Sequence, residues 1–398
     1  MAATLVPAVV KGAGRTWNEI ERLVARNDLK GKVSKDDLPT PALVLDLDLF
    51  ERNVDRMAKH AKASGRALRP HAKTHKCGEI ARRLMAAGAV GACAAKISEA
   101  EGLAADGVTG LLVTGSLAGR HRIERGLRLA TKRPETIFVV DNAQNAQDLN
   151  DAAAAAKQKI NVALDLLVGK RTGITPGAPA LGLAQAIVQM KNLKLVGLQA
   201  YSGNASHVKG FAERTKVSRE FMGMAVETRR MMEKAGIPCP WLSGGSTGTY
   251  NIDSQIDGVT ELQPGSYVFM DQGYASIGSS DGNERYTDFG HSLTVVSSVY
   301  SKPADDVAIV DAGLKSFATD SGGVPQSVSH PHFAYAWAGD EHGRIDMKGA
   351  ARPLGLGERV EFTVPHCDPN VNLYDRIWCH RGGNVEAVWK ISARGMSQ

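Results

Sequence analysis

The sequence predicts a TIM-type α/β barrel followed by a second, mostly antiparallel β domain. Short apolar runs alternate with helical patterns from residue 41 to residue 286, as a parallel sheet wrapped in helices requires. Polar residues follow several of those runs directly, at Lys73, Arg171, Tyr201 and Ser246-Thr247-Gly248-Thr249. That is where a barrel keeps its chemistry. Beyond residue 287 the apolar runs continue without long helices between them.

The elements follow in order. Residues 1–40 read as an extension with one short helix near 16–26, expected to pack on the β domain. The run 42–48 (ALVLDLD) is apolar enough for a buried strand and opens the predicted barrel, 41–286. Residues 50–64 carry helical spacing with a polar face. Strands are then expected at 68–73, 90–95, 110–114, 137–141, 162–166, 195–201 and 241–244, separated by helices at 78–87, 97–106, 119–130, 143–158, 177–190 and 210–235. About eight such units suit a closed barrel better than an open sheet. A doubly wound sheet is the alternative, but no GxGxxG follows a first strand. In the β domain, 287–398, strands are expected at 292–300, 307–310, 359–364 and 384–391.

Composition narrows the function. The 398 residues suffice for two domains, and 42 glycines suit a fold with many strand–helix joints. A net charge of +6 with no basic block speaks against nucleic acid and permits an acidic small-molecule ligand. Five cysteines without a CxxC pair imply reduced thiols and a cytoplasmic chain. The start MAATLVPAVV is too short to cross a membrane and lacks the basic residue of a signal peptide.

Four constellations carry candidate chemistry. Lys73, in Arg69-Pro70-His71-Ala72-Lys73-Thr74-His75-Lys76, falls where an apolar run meets a helix start. Partial burial beside His71, His75 and Lys76 would lower its pKa, and a neutral amine there can form an imine with an aldehyde. A solvated surface lysine is the competing reading. Ser246, Thr247, Gly248 and Thr249 follow Ser243-Gly244-Gly245, and offer close approach, hydroxyls and N–H groups to a phosphate. Gly265 and Ser266 could close the same pocket, although a flexible joint would read alike. Arg171 could hold a phenolate or carboxylate, or lie in a solvated turn. Gln199 and Tyr201 alternate on one strand face, where Tyr201 could stack, donate or simply fill the core.

His366 and Asp368 are spaced i,i+2, so in an extended segment both point one way, with Cys367 away. An imidazole and a carboxylate suit Zn2+ or Mn2+ completed by waters; a surface turn before Pro369 is the alternative. Asp340-Glu341-His342 reads as a further polar cluster lining the same cleft, and Tyr374, Asp375 and His380 as supporting or structural groups.

Together these segments resemble the fold-type III, alanine racemase-like pyridoxal-phosphate enzymes, in the D-threonine aldolase and D-serine dehydratase-like branch. TPALVLDLDLFERNV, RPHAKTHK, LQAYSG, SGGSTGTY, ELQPGSYVFMD, VDAGLKS and VPHCDPNVNLYD carry the resemblance, which spans nearly everything from residue 40 onward. It implies pyridoxal 5'-phosphate on Lys73, a divalent ion at His366 and Asp368, and a homodimer. The dehydratase pattern His-x-Cys is replaced here by His-Cys-Asp, similar to the aldolases, where Mn2+ is expected and Mg2+, Co2+ or Zn2+ are alternatives.

The implied activity is retro-aldol cleavage of a D-3-hydroxy amino acid, with His207, His71 or a metal-bound hydroxide as base. D-Threonine would give glycine and acetaldehyde; 3-hydroxy-D-aspartate would give glycine and glyoxylate, with Lys315 or Arg344 as readers of the second carboxylate. The rivals are a D-serine or 3-hydroxyaspartate dehydratase releasing ammonia and a 2-oxo acid, a racemase, and a carrier that binds the cofactor without turnover.

Overall fold

The computed structural model describes residues 14–169, 171–320 and 323–398. Eight parallel strands form one sheet: Ala67–Leu68, Cys93–Ala94, Leu112–Val113, Ile137–Val140, Ile160–Asp165, Leu193–Ala200, Trp241–Gly244 and Glu261–Leu262. The last pairs with the first, Glu261 opposite Ala67. The ring closes between the first two strands through a His71–Cys93 bridge and through Val90 N donating to Leu68 O at 2.8 Å. A closed sheet has no edge left to satisfy, and its inner side chains become core.

Helices wrap the ring because their apolar residues recur every three or four positions. In Leu47–Ala63 the buried residues include Leu47, Phe50, Val54, Met57 and Ala61, and Asp46 caps the start by accepting from Asp48 N and Leu49 N. Gly78–Ala86, Ile97–Ala105, Arg120–Lys132, Ala143–Ala155, Ala178–Val188 and Phe211–Lys234 repeat the arrangement between successive strands.

The second sheet has ten strands and is mixed, mostly antiparallel. Its long member Leu293–Ala304 pairs with Val307–Val310 and Arg359–Thr363. It also pairs with Ala42–Asp46, which corrects the expectation that this strand opens the barrel. Ala42–Asp46 lies between Leu293–Ala304 and Arg376–Arg381, in the β domain. An all-apolar run fits any strand buried on both faces, so its pattern cannot choose the sheet. The barrel's first strand is instead the next short run, Ala67–Leu68.

Of the N-terminal extension, residues 1–13 lie outside the described residues. Trp17–Ala25 is helical, and its Ile20 packs in a cluster with Val33, Val44, Val296, Trp378 and Val385 of the second sheet. Trp17 meets Trp378 edge-on at 6.4 Å, and Arg376 reaches Glu21 at 2.8 Å. Among the described residues no helix is long and apolar enough to cross a membrane.

Candidate active site

The turn Ala72–Thr74 leaves the first barrel strand with His71 as its cap. Below it Arg69 grips Glu261 through two bonds of 2.9 and 3.0 Å, Ser243 donates to Glu261 at 2.7 Å, and Gln263 donates to Ser243 at 2.8 Å. This buried network fixes the strand end from which Lys73 projects. Lys73 Nζ bonds the Asp368 carboxylate, which arrives from the second domain on the helix Cys367–Val371. Two residues 295 positions apart in the chain therefore touch.

That pair corrects the expected electrostatics of Lys73. The Asp368 charge raises its pKa and outweighs burial, which opposes it. The neighbouring cations matter less than expected because Lys76 turns away to Glu99, 3.6 Å off, and burial keeps His75 neutral, at about 3. Burial alone would raise the Asp368 carboxyl, but the Lys73 ammonium and His366 hold it well below the carboxylate range.

His71 is buried, and burial together with the Lys73 charge holds it well below the usual imidazole range. Its Nδ1 accepts from Lys73 N at 3.4 Å. Its Nε2 lies 3.3 Å from Thr114 Oγ1, whose own proton goes to Ala94 O, so Nε2 donates. Both ring nitrogens are engaged. His207 stands differently, open to solvent and tilted over Tyr274 with ring centroids 4.4 Å apart. Partial desolvation lowers its pKa, Asp271 opposes that, and His366 and Lys73 reinforce it.

His366 and Asp368 are not two positions of an extended segment. His366 is the extended residue before a helix, and Asp368 lies in that helix's first turn. Pro369 is compatible with helix there because first-turn N–H groups have no intrahelical acceptor, and an acidic residue suits the positive end. His366 Nδ1 bonds Asp320 at 2.6 Å, leaving Nε2 available. Asp271 anchors the helix by accepting from Cys367 N at 3.0 Å and binds its own loop through Tyr274 N at 2.9 Å. Among the described residues no three His, Cys, Asp or Glu side chains group as ligands. The available donors, one imidazole and one carboxylate, fit a divalent ion whose other positions are open to water or substrate.

Two loops form the phosphate-like cradle, 246–249 and 265–266. They are joined by Tyr267 N donating to Thr247 Oγ1 at 3.0 Å. The N–H groups of Thr247, Gly248, Gly265 and Ser266 have no acceptor among the described residues. Behind them Tyr286 donates to Thr247 O at 2.6 Å. Thr249 faces inward, donating to Asp253 at 2.5 Å and accepting from Ser246 N at 3.1 Å, so it braces the loop. A Cβ on Gly265 would come 2.6 Å from Thr74 Oγ1. Free amides with glycines at the close approaches fit a phosphate.

Arg171 lies with its guanidinium 5.3 Å from the Tyr201 ring centre. Gln199 donates to Asp165 at 2.9 Å, and Thr172, beside Arg171, donates to the other oxygen at 2.8 Å. Burial raises the Asp165 carboxyl to about 6 against those two bonds. Gln199 Oε1, Gln263 Oε1 and Thr74 Oγ1 are buried without a hydrogen-bond partner among the described residues. Two of them, on Gln263 and Thr74, line a cavity with His71, Lys73, Tyr201, Thr247 and Tyr274. The amine, the free amides and the unmatched acceptors together fit pyridoxal phosphate.

Several expected residues sit elsewhere. Lys315 pairs with Glu341 at 2.6 Å on the surface, Arg344 is exposed on Gly343–Asp346, and the His342 ring is tilted against Tyr300 with centroids 5.4 Å apart. Lys315 and Glu341 thus bond each other at the surface. Tyr374 donates to Ser316 O at 2.9 Å, Asp375 pairs with Arg394 at 2.6 Å, and His380 is buried in Arg376–Arg381. Thr74, Asp165, Gln263, Asp271, Tyr274 and Asp320 were missed. Thr74 had a signal in its place beside Lys73, and Gln263 and Asp271 in theirs within ELQPGSYVFMD.

Known proteins show the same organisation. The alanine racemase N-terminal domain matches residues 45–273, and a putative serine dehydratase domain matches 292–380. A D-threonine aldolase of Arthrobacter sp is 38% identical over 90% of this chain and 93% of its own. A 3-hydroxy-D-aspartate aldolase of Paracoccus denitrificans (strain Pd 1222) is 33% identical over 91% of this chain and 94% of its own. The solved D-threonine aldolase from Filomicrobium marinum superposes with a TM-score of 0.87 at 37% identity, covering 91% of this chain and 98% of that one.

Proposed function

We propose, from the premise that this chain belongs to the alanine racemase-like family of fold-type III pyridoxal-phosphate enzymes, that it is a lyase cleaving the Cα–Cβ bond of D-3-hydroxy amino acids. Pyridoxal phosphate would sit with its aldehyde at Lys73, its phosphate on the amides of Thr247, Gly248, Gly265 and Ser266, and Arg171 and Tyr201 at its flank. When bound it supplies an electron-withdrawing ring that stabilises charge at Cα. A divalent ion, Mn2+ in our reading, would be held by His366 and Asp368 and would lower the pKa of the substrate hydroxyl.

The chain's own groups divide the remaining work. Lys73 yields its place to the substrate amine. Asp368, which neutralises Lys73 in the free chain, then faces the substrate's hydroxyl end. His207 takes the hydroxyl proton, because its imidazole is neutral near pH 7 and open to the mouth, whereas both nitrogens of His71 are occupied. Asp271 keeps the ligand-bearing helix against the barrel. The observation that carries this reading is the direct contact of Lys73 with Asp368. It supports a reading in which an imine-forming amine and an ion ligand act on one substrate.

D-Threonine is the substrate we favour, since Lys315, one expected reader of a second carboxylate, is paired at the surface and Arg344 is exposed on a β-domain strand. We read the working form as a homodimer. Product analysis tests the function. Glycine and acetaldehyde from D-threonine support the reading; glycine and glyoxylate from 3-hydroxy-D-aspartate alone would transfer it to the acidic substrate. Ammonia with a 2-oxo acid would replace cleavage by elimination.

A further inference from the structure

We infer that Arg214 is a positioning residue for the cofactor phosphate, a buried cation that orients the 246–249 loop and supplies charge beneath it. The inference rests on the cofactor reading above. Arg214 begins in the first turn of Phe211–Lys234 and has no solvent exposure. Its Nε donates to Gly248 O at 2.8 Å, Nη1 to Val208 O at 2.9 Å and Ile277 O at 2.7 Å, and Nη2 to Gly278 O at 2.7 Å. One side chain thus ties three separate segments together. The Gly248 carbonyl is drawn to Arg214 as the Thr247 carbonyl is drawn to Tyr286, while their N–H groups stay free.

The hydrogen bonds of this guanidinium are met, and the ring centres of Phe211 and Tyr286 lie 5.5 and 5.8 Å from it, but it has no full counter-charge. Among the described residues no carboxylate pairs with it. Asp288, whose field reaches it, is bonded to Tyr250 at 3.0 Å and Arg56 at 3.3 Å. A charge moved from water into a protein interior is unfavourable without a counter-charge. An anion on the free amides of the same loop offsets that cost, so the cation selects phosphate over an uncharged group at this end of the ligand.

The test compares three probes on the full chain stripped of cofactor: pyridoxal 5'-phosphate, pyridoxal and inorganic phosphate. Arg214→Met should weaken both phosphate-bearing probes by about tenfold or more, the scale of one charge pair at intermediate dielectric. Pyridoxal, bound through Lys73 alone, should change by less than about threefold on the same scale. Arg214→Lys, which keeps the charge but not the fork, should keep most of the preference for the phosphorylated probe. Equal loss of pyridoxal and its phosphate would overturn the inference, because the loop that Arg214 holds serves only the phosphate end; Arg214→Lys then separates charge from bracing. If Arg214→Met does not fold, Arg214→Lys decides, and loss of the preference despite the retained charge refutes the idea. A wild-type chain that binds phosphate but not pyridoxal phosphate would remove the cofactor reading alone; one that binds neither removes both.

Discussion

Replacing Gly248 with alanine should uncouple cofactor binding from folding. An added Cβ would stand 2.1 Å from the Ser206 carbonyl oxygen and 3.1 Å from Ile277 Cδ1, and contacts under 3.0 Å are essentially never seen. The obstacle is backbone, so the loop must shift by about 1 Å, while Arg214 and Tyr286 hold it from behind. A shift of that size breaks the amide–phosphate bonds of Gly248 or Thr247. Bonds to a charged group are worth about 1.5–3 kcal/mol each, so losing one weakens binding by roughly tenfold to a hundredfold. The assay is equilibrium titration with pyridoxal 5'-phosphate, followed by imine absorbance, with circular dichroism reporting the fold. Gly182→Ala is the control: nothing lies within 4 Å of its added Cβ, and it sits in the helix Ala178–Val188. It should bind normally and gain up to about 1 kcal/mol of stability. Binding by Gly248→Ala as tight as the control's would refute the cradle.

Lys73→Ala should abolish the imine absorbance and reduce turnover by several orders of magnitude; normal turnover would remove the lysine from the chemistry. Chelation should silence cleavage without bleaching the cofactor, and Mn2+ should restore it; indifference to both would dismiss the ion at His366 and Asp368. Asp253 gives a pH signature in stability. Burial raises its carboxyl to about 6, against bonds from Ser218 and Thr249. An acid whose folded pKa is raised binds its proton more tightly when folded, so it destabilises as pH climbs from about 4 to 6. Asp253→Asn should flatten that slope by on the order of 2–3 kcal/mol in denaturant melts, and an unchanged slope would show that Asp253 does not titrate there.

Much of the barrel was legible because each of its helices carries its own periodicity. Phe50, Val54, Met57 and Ala61 announce a helix without reference to anything distant. Ala42–Asp46 did not announce its sheet, because partners at 293–296 and 378–380 are chosen by long-range pairing. The same division runs through the site. Lys73, the 246–249 loop and the His366–Asp368 pair were visible as local clusters. Asp165 and Asp320 were not, since each matters only through a neighbour distant in sequence: Gln199 and His366.

The sequence by itself determined residue types and local spacing: an amine at a strand end, glycines with hydroxyls, and an imidazole two places from a carboxylate. Closure of the ring and docking of the second sheet decided which of these meet. Docking also reversed the expected effect on Lys73. Its neighbours along the chain, two histidines and Lys76, would favour the neutral amine if all were charged, but burial keeps the imidazoles neutral and Asp368, 295 positions away, favours the ammonium. Coulomb energy depends on distance through space, and only the folded chain sets that distance.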